Sequence, residues 1–517
     1  MAFWKNPAVL EPTISPRGKR WLVILLVLAA SVRLCLLWRY YCISSDGVVY
    51  LRAAKDFYTG DIASALASVY PPGYPLLIAA VYPLFGNWEL AGQSLSLLFG
   101  VLLLLPLYRL FAEIFDENVA LLASFLAGIS PFLALYSAHV RSESTYILIS
   151  TLALYLFLTA IERNRPKRFF GGGMLAGYAY LVRPEAIGFL VIIPAIALLR
   201  AVRRRQNILR NLVPGLGLLA LGFSLFALPY IIYLSSETGR FGAISRKAGI
   251  TLAINLKESG ALEGEDLRRD DFIDSFVFTD YVRRHPFQYL ESVATDLMPA
   301  VGVFFDALYY SYVPFLLLGL CVALREKPWR KPQALLLGFV LFYVFGFALI
   351  YVKRRYSLQA VPACLGWVAL GMVYAWNKLR AACTERKAVL VAACVVVIFL
   401  AVTLPKTLKS VSREKAYVRE TGWYLKERNR AGALKVAVLD ERVAFYAAAR
   451  AVMMTEIKQA DLPAQLRQQR ANYLAAESRS FQETYPQIAQ APERYGLILE
   501  KVFVGTRKDQ MLLFKVL

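Results

Sequence analysis

The sequence predicts an α-helical polytopic membrane protein with about eleven transmembrane helices and a small C-terminal α/β soluble domain. Three observations carry this. Hydrophobic residues make up 58% of the 517, and mean hydropathy is +0.47, more apolar surface than an ordinary soluble fold buries. The apolar residues fall in runs of roughly 18 or more, the length that crosses a hydrocarbon core about 30 Å thick. From Ser410 onward the runs stop and short strand-like and helix-like segments take over.

The runs lie near 21–37, 90–111, 119–136, 146–161, 170–181, 186–199, 212–234, 307–324, 334–352, 358–376 and 388–404. The formal charge of +22 follows them rather than a nucleic-acid surface. Lys and Arg gather in short loops: Lys5, Arg17, Lys19 and Arg20; Arg163, Arg165, Lys167 and Arg168; Arg203, Arg204 and Arg205; Arg325, Lys327, Arg330 and Lys331; Lys378, Arg380, Arg386 and Lys387. They alternate with the runs as the positive-inside rule requires for a cytoplasmic N-terminus. Topology and contact with anionic headgroups account for this charge, and no nucleic-acid partner is expected. The first run keeps its basic flank and continues as Ser31-Val32-Arg33-Leu34, which fits a signal-anchor helix better than a cleaved signal peptide.

That topology puts several segments outside: a loop over 39–91, turns at 139–143 and 183–185, a loop over 235–306, a turn at 353–355 and the tail. The expected division is a membrane domain over 1–407 and an outer α/β domain over 408–517. Within the first loop, 48–58 has apolar residues at helical spacing with Arg52, Lys55 and Asp56 between them, an amphipathic surface helix. Segment 75–85 is apolar but half a span long, so it reads as interfacial or re-entrant. The second loop is charged at Lys257, Glu258, Glu263, Glu265, Asp266, Arg268 and Arg269, and ends in an amphipathic helix over 281–290. In the tail, 435–439, 451–454 and 471–476 read as strands, 441–449 as a helix, and 495–504 with 510–516 as a hairpin. Six scattered cysteines and two histidines offer no metal-ligand spacing, so no metal or cofactor is expected.

The ionisable residues beside the spans are candidates for chemistry. Asp46, just past the first run, suits a general base or a helix cap. Tyr70-Pro71-Pro72-Gly73-Tyr74-Pro75 is a rigid aromatic turn, with Tyr70, Pro72 and Tyr74 either lining a sugar or lipid pocket or simply reversing the chain. His139, Arg141 and Glu143 open a span; Arg141 and Glu143 are two apart, diverge on a helix, and each needs a partner elsewhere or a ligand. Arg183 and Glu185 flank Pro184 at a break in an apolar stretch. Lys353, Arg354 and Arg355, followed by Tyr356, are cations on the outer side against the positive-inside bias, which points to an anionic partner, a phosphate first. Gly171–Gly173 and Gly177 lack the strand and Lys-Ser/Thr of a phosphate loop and suit close helix packing.

Taken in order, Asp46, the 70–75 turn, Arg141-Ser142-Glu143, Leu181-Val182-Arg183-Pro184-Glu185 and Arg354-Arg355-Tyr356 with Pro362 resemble the GT-C glycosyltransferases, in particular the bacterial branch related to protein O-mannosyltransferases and the aminoarabinose transferase of lipid A. The resemblance covers residues 20–376. It implies inverting transfer at the exoplasmic face of a bacterial inner membrane, from a sugar donor on a polyprenyl phosphate to a hydroxyl of a glycolipid, polysaccharide or protein. It also implies Asp46 as the base, Glu143 with Arg141 as a second polar element, and Arg183, Lys353, Arg354 and Arg355 around the departing phosphate. Two features depart from it: Asp46 is followed by Gly47 where many relatives carry a second acid, and the Pro-Pro turn lacks the charged residue that precedes it in the aminoarabinose branch. The competing readings are a transporter or lipid flippase, which calls for ionisable groups near mid-membrane and related halves, and a scaffold presenting the C-terminal domain.

Overall fold

The computed structural model describes residues 14–203, 212–239, 245–258, 278–325, 332–429, 432–454, 461–506 and 509–517. The expected features at Lys5, Arg204, Arg205, Glu263, Glu265, Asp266, Arg268, Arg269, Lys327, Arg330 and Lys331 lie outside those residues.

The first helix, Pro16–Trp38, starts where Ser15 accepts a hydrogen bond from the Gly18 amide at 2.9 Å and Pro16 occupies the first turn, a position whose missing N–H costs nothing. Its outward side chains Val23, Val27 and Leu34 are exposed, as lipid-facing positions should be. Among the described residues seven helices are long and apolar enough to cross a membrane: Pro16–Trp38, Trp88–Ile114, Glu143–Arg163, Pro184–Arg203, Val213–Thr238, Arg354–Ala382 and Glu385–Thr407. Counting two bent pairs gives up to nine. The expected count of eleven is not confirmed among the described residues. The runs at 170–181 and 334–352 fold as the helices Pro166–Val182 and Gln333–Phe345, 17 and 13 residues long, and so stand outside those seven.

Both bends have local causes. Glu117–Ile129 and Pro131–Ser137 meet at 57°, because Pro131 removes an amide and Ser130 adopts an extended ψ of 125°. Pro286–Leu308 and Tyr310–Arg325 meet at 91° across Tyr309, whose φ is 80°. The amphipathic helix expected at 281–290 is split for a similar reason. It is Phe278–Arg284 followed by Pro286–Leu308, with Pro286 starting a new first turn.

The glycine-rich stretch packs helices. A Cβ on Gly173 would sit 2.4 Å from the Leu219 carbonyl oxygen, and one on Gly177 2.4 Å from that of Phe223. Pro166–Val182 and Val213–Thr238 therefore cross backbone to backbone, as small residues permit in a bilayer.

The outer loop folds as Ser45–Thr59 and Gly73–Phe85, with Val48, Tyr50, Leu51, Ala53 and Ala54 inward and Arg52 and Lys55 outward. The tail forms a five-stranded sheet of β1 (Lys435–Val438), β2 (Arg450–Met453), β3 (Tyr473–Glu477), β4 (Leu497–Val504) and β5 (Gln510–Val516), in the order β2-β1-β3-β5-β4. β1 runs parallel to β2 and to β3. β5 pairs antiparallel with β3 and with β4. The helix Glu441–Tyr446 connects β1 to β2.

Candidate functional site

Four chain breaks meet at one place. Asp46 lies in the first turn of Ser45–Thr59, where Ser44 caps the helix by accepting from the Gly47 amide at 3.1 Å. Glu143 begins the helix Glu143–Arg163. Arg183 is an extended residue between Pro166–Val182 and the 3₁₀ turn Pro184–Gly188, fixed there because the residue before proline avoids helix. Arg355 lies on the single turn Arg354–Ser357, which follows an extended Lys353.

The Asp46 carboxylate is gripped from two sides. The Tyr70 hydroxyl donates to Oδ1 at 2.5 Å and Arg355 Nη1 donates to Oδ2 at 2.5 Å. Arg141 Nη2 stands 3.8 Å from the same Oδ2 and packs over the Tyr136 ring. Burial first, then Tyr50 and Asp46, pushes the Tyr70 phenol above its usual range, so it keeps the proton it donates.

Glu143 is fully buried. Its Oε1 takes Arg183 Nη1 at 3.1 Å and lies 3.2 Å from Arg355 Nη2, while Oε2 has no hydrogen-bond partner among the described residues. Arg183 also pairs with Glu185 Oε1 at 2.8 Å and faces the Tyr356 ring. The cluster thus holds three carboxylates and three guanidiniums, and balance of this kind lets buried charges persist. Among the described residues no three His, Cys, Asp or Glu side chains gather as metal ligands.

Beside the cluster lies a cleft whose lining includes Tyr50, Tyr70, Pro71, Arg183, Glu185 and Tyr356, together with Thr251, Phe347 and Ile350. Largely apolar walls with two charged side chains among them, Arg183 and Glu185, suit an amphiphile.

Of the residues singled out from sequence, Asp46, Tyr70, Arg141, Glu143, Arg183, Glu185, Arg355 and Tyr356 come together here. Arg354 turns away to Asp306 at 2.6 Å and over the Phe132 ring, and Lys353 lies over Tyr351. Pro72 starts the Gly73–Phe85 helix, and Tyr74 is buried behind the cleft with its hydroxyl donating to the Gly92 carbonyl at 3.0 Å. His139 is buried edge-on against Tyr40; burial first, then Arg141, lowers its pKa to about 3, so the imidazole is neutral. Sequence reasoning passed over Tyr50, whose hydroxyl is 2.9 Å from that of Ser142 and whose ring packs against that of Tyr70 at a tilt of 32°. Its signal was faint: an apolar position on an amphipathic helix. Thr251, Phe347 and Ile350 carried none, whereas Pro71 belongs to the aromatic turn already singled out.

Residues 69–233 match the family model of the dolichyl-phosphate-mannose-protein mannosyltransferases, a stretch that holds Tyr70, Arg141, Glu143 and Arg183 but neither Asp46 nor Arg355. No curated protein matches the chain. Among solved structures, the Archaeoglobus fulgidus oligosaccharyltransferase, in complex with Zn and sulfate, superposes with a TM-score of 0.61 at 14% identity, covering 95% of this chain and 72% of its own. ArnT from Cupriavidus metallidurans bound to undecaprenyl phosphate gives 0.58 at 14%, covering 96% and 98%. The oligosaccharyltransferase AglB of Archaeoglobus fulgidus, with an inhibitory peptide and a dolichol-phosphate, gives 0.54 at 13%, covering 96% and 74%. The resemblance carried by the short motifs extends in fold over almost the whole chain, which is an integral membrane protein with the fold of the GT-C glycosyltransferases.

Proposed function

We propose that the protein is an inverting glycosyltransferase that moves a sugar from a polyprenyl-phosphate-linked donor to an acceptor hydroxyl at the outer face of the membrane. The observation that carries this reading is the Asp46 carboxylate, held 2.5 Å from both Tyr70 and Arg355, beside an apolar cleft with Arg183 in its wall. A carboxylate for a hydroxyl proton and guanidiniums for a phosphate are the two groups this reaction needs.

The acceptor oxygen attacks the anomeric carbon from the face opposite the phosphate. The new C–O bond forms as the bond to the phosphate oxygen breaks. The hydroxyl proton passes to Asp46, and the polyprenyl monophosphate leaves with the electron pair. Arg355 and Arg183 answer its charge. In the ligand-free cluster these guanidiniums are already paired with Asp46, Glu143 and Glu185. The arriving phosphate takes over Arg355 and releases Asp46 to act as base. Glu143, buried beneath both arginines, is a positioning residue. The lipid tail follows Phe347, Ile350 and Tyr356 along the cleft, in keeping with the lipid phosphates named in two fold neighbours.

This reading places the site outside a bacterial inner membrane, with 408–517 as an outer domain facing acceptors: a glycolipid, a polysaccharide or a protein. The test is reconstitution in vesicles with a radiolabelled polyprenyl-phosphate sugar and an envelope extract as acceptor, comparing wild type with Asp46→Asn. The variant should bind donor and lose transfer by roughly 10²- to 10⁴-fold, the usual worth of a general base. Unimpaired transfer rejects Asp46 as base, and donor binding by wild type without transfer to any acceptor favours a lipid transporter.

A further inference from the structure

The segment between the first helix and Asp46 is held chiefly by the tail of the chain. Arg39 Nη1 donates to the Leu408 carbonyl at 2.7 Å, and residues 39–41 form a bridge with Val411, whose amide donates to Arg39 O and whose carbonyl accepts from the Tyr41 amide, both at 3.0 Å. Arg419 Nη1 donates to Tyr40 O at 3.2 Å. The fully buried Ile43 is fastened at both ends of its peptide: its amide donates to the Tyr446 hydroxyl at 2.7 Å, and its carbonyl accepts from Arg442 Nη1 at 3.3 Å. Tyr446 in turn donates to Glu89 Oε1 at 2.8 Å. Burial first, then the charge of Glu89, holds its phenol above the usual range, so one hydroxyl ties three elements together. On the same short helix, Glu441 pairs with Arg52 of the helix that carries Asp46.

The tie reaches Asp46 through hard contacts. A Cβ on Gly47 would meet Ile43 Cγ1 at 2.8 Å, so Gly47 admits Ile43 only because it has none. Any shift of Ile43 moves Ser44, its cap bond to Gly47, and the first turn in which Asp46 sits. From this we infer that Tyr446 and Arg442 are positioning residues for Asp46: the Glu441–Tyr446 helix is a clamp that sets the carboxylate at hydrogen-bond distance from Tyr70 and Arg355. The inference rests on Asp46 acting as the base proposed above. It gives the C-terminal sheet a part in the reaction at the membrane without contact to the donor.

The experiment uses the full chain in vesicles, with Tyr446→Phe and Arg442→Gln, and reads two things: steady-state transfer from a polyprenyl-phosphate sugar, and amide hydrogen exchange across residues 43–50. Both variants should lower kcat roughly 10- to 100-fold, the scale of a small misplacement of a reacting group. KM for the donor should stay within about twofold, and exchange should accelerate only in that segment. Glu89→Gln, which still accepts from Tyr446, should behave as wild type. Unchanged kcat with unchanged exchange at 43–50 overturns the clamp. So does faster exchange throughout the chain with kcat and KM impaired together, which marks a general loss of structure. Absence of transfer by wild type rejects the proposed activity instead, and local exchange then decides the clamp alone.

Discussion

Arg355 Nη1 lies 2.5 Å from Asp46 Oδ2, although 309 residues separate the two in sequence. The same guanidinium reaches Glu143 Oε1 at 3.2 Å through its other terminal nitrogen. Arg355 therefore ties the outer loop to the Glu143–Arg163 helix and the Arg354–Ala382 helix at a single point. A planar fork with two separated donors does this; an ammonium, a point charge on a flexible stem, does not.

Arg355→Lys should keep the charge and lose the bridge. Loss of one charge-assisted hydrogen bond is worth about 1.5–3 kcal/mol, so transfer from a polyprenyl-phosphate donor should drop roughly 10- to 150-fold. The fall should fall partly on donor KM, since the same group is to meet the phosphate. Kinetics in vesicles at several donor concentrations check this, and a wild-type KM with wild-type kcat would show the bridge to be dispensable.

Glu143→Ala should cost stability as well as activity. Removing one partner from a buried ion pair costs about 3–5 kcal/mol. The lower end applies here because Arg183 keeps Glu185 and Arg355 keeps Asp46. Glu143→Gln, of the same shape, should retain the fold while still impairing transfer. Thermal unfolding of both variants in detergent separates the two effects, and equal melting of Glu143→Ala and wild type would contradict the assigned packing.

How much of this was legible in the sequence depends on the kind of residue. Asp46, Glu143, Arg183 and Arg355 stood out because an ionised group beside an apolar run is costly and must have a reason. Their mutual pairing was not legible, since no local period connects positions 46, 143, 183 and 355. Arg354 and Arg355 were alike in sequence, yet adjacent positions on a helical turn point about 100° apart, so one meets Asp46 and the other Asp306. Tyr50 and Phe347 read as ordinary core because an aromatic at an apolar position looks the same whether it faces packing or a cleft. The strands of the tail were readable from β-branched and alternating residues, but their mixed parallel order was not. Two runs near the threshold fold as helices of 17 and 13 residues, which is why they stand outside the seven clear spans among the described residues.

Gly177→Val should loosen the pair Pro166–Val182 and Val213–Thr238. The first added carbon already falls 2.4 Å from the Phe223 carbonyl oxygen, which is backbone and has no rotamer to yield. Overpacking of this kind costs about 1–3 kcal/mol. Because Arg183 directly follows the first helix, a change in the crossing should also displace it from Glu143. Lower thermal stability together with weaker donor binding is expected; an unchanged melting point would mean the helices separate at no cost.

His139 gives the protein an acid-sensitive term. Burial first, then Arg141, lowers its pKa from 6.5 to about 3, with Glu143 and Asp46 opposing. The folded state therefore holds a neutral ring where the unfolded chain takes up a proton as pH falls below 6.5. Stability is complete above that value and is lost progressively as pH drops from 6.5 towards about 3. His139→Phe keeps an aromatic edge against Tyr40 and has nothing to protonate. Its melting temperature should fall less than that of wild type between pH 7 and pH 4.5, while carboxylates titrate equally in both proteins. Parallel curves over that interval would mean that the imidazole is solvated or charged in the fold, contrary to its buried position.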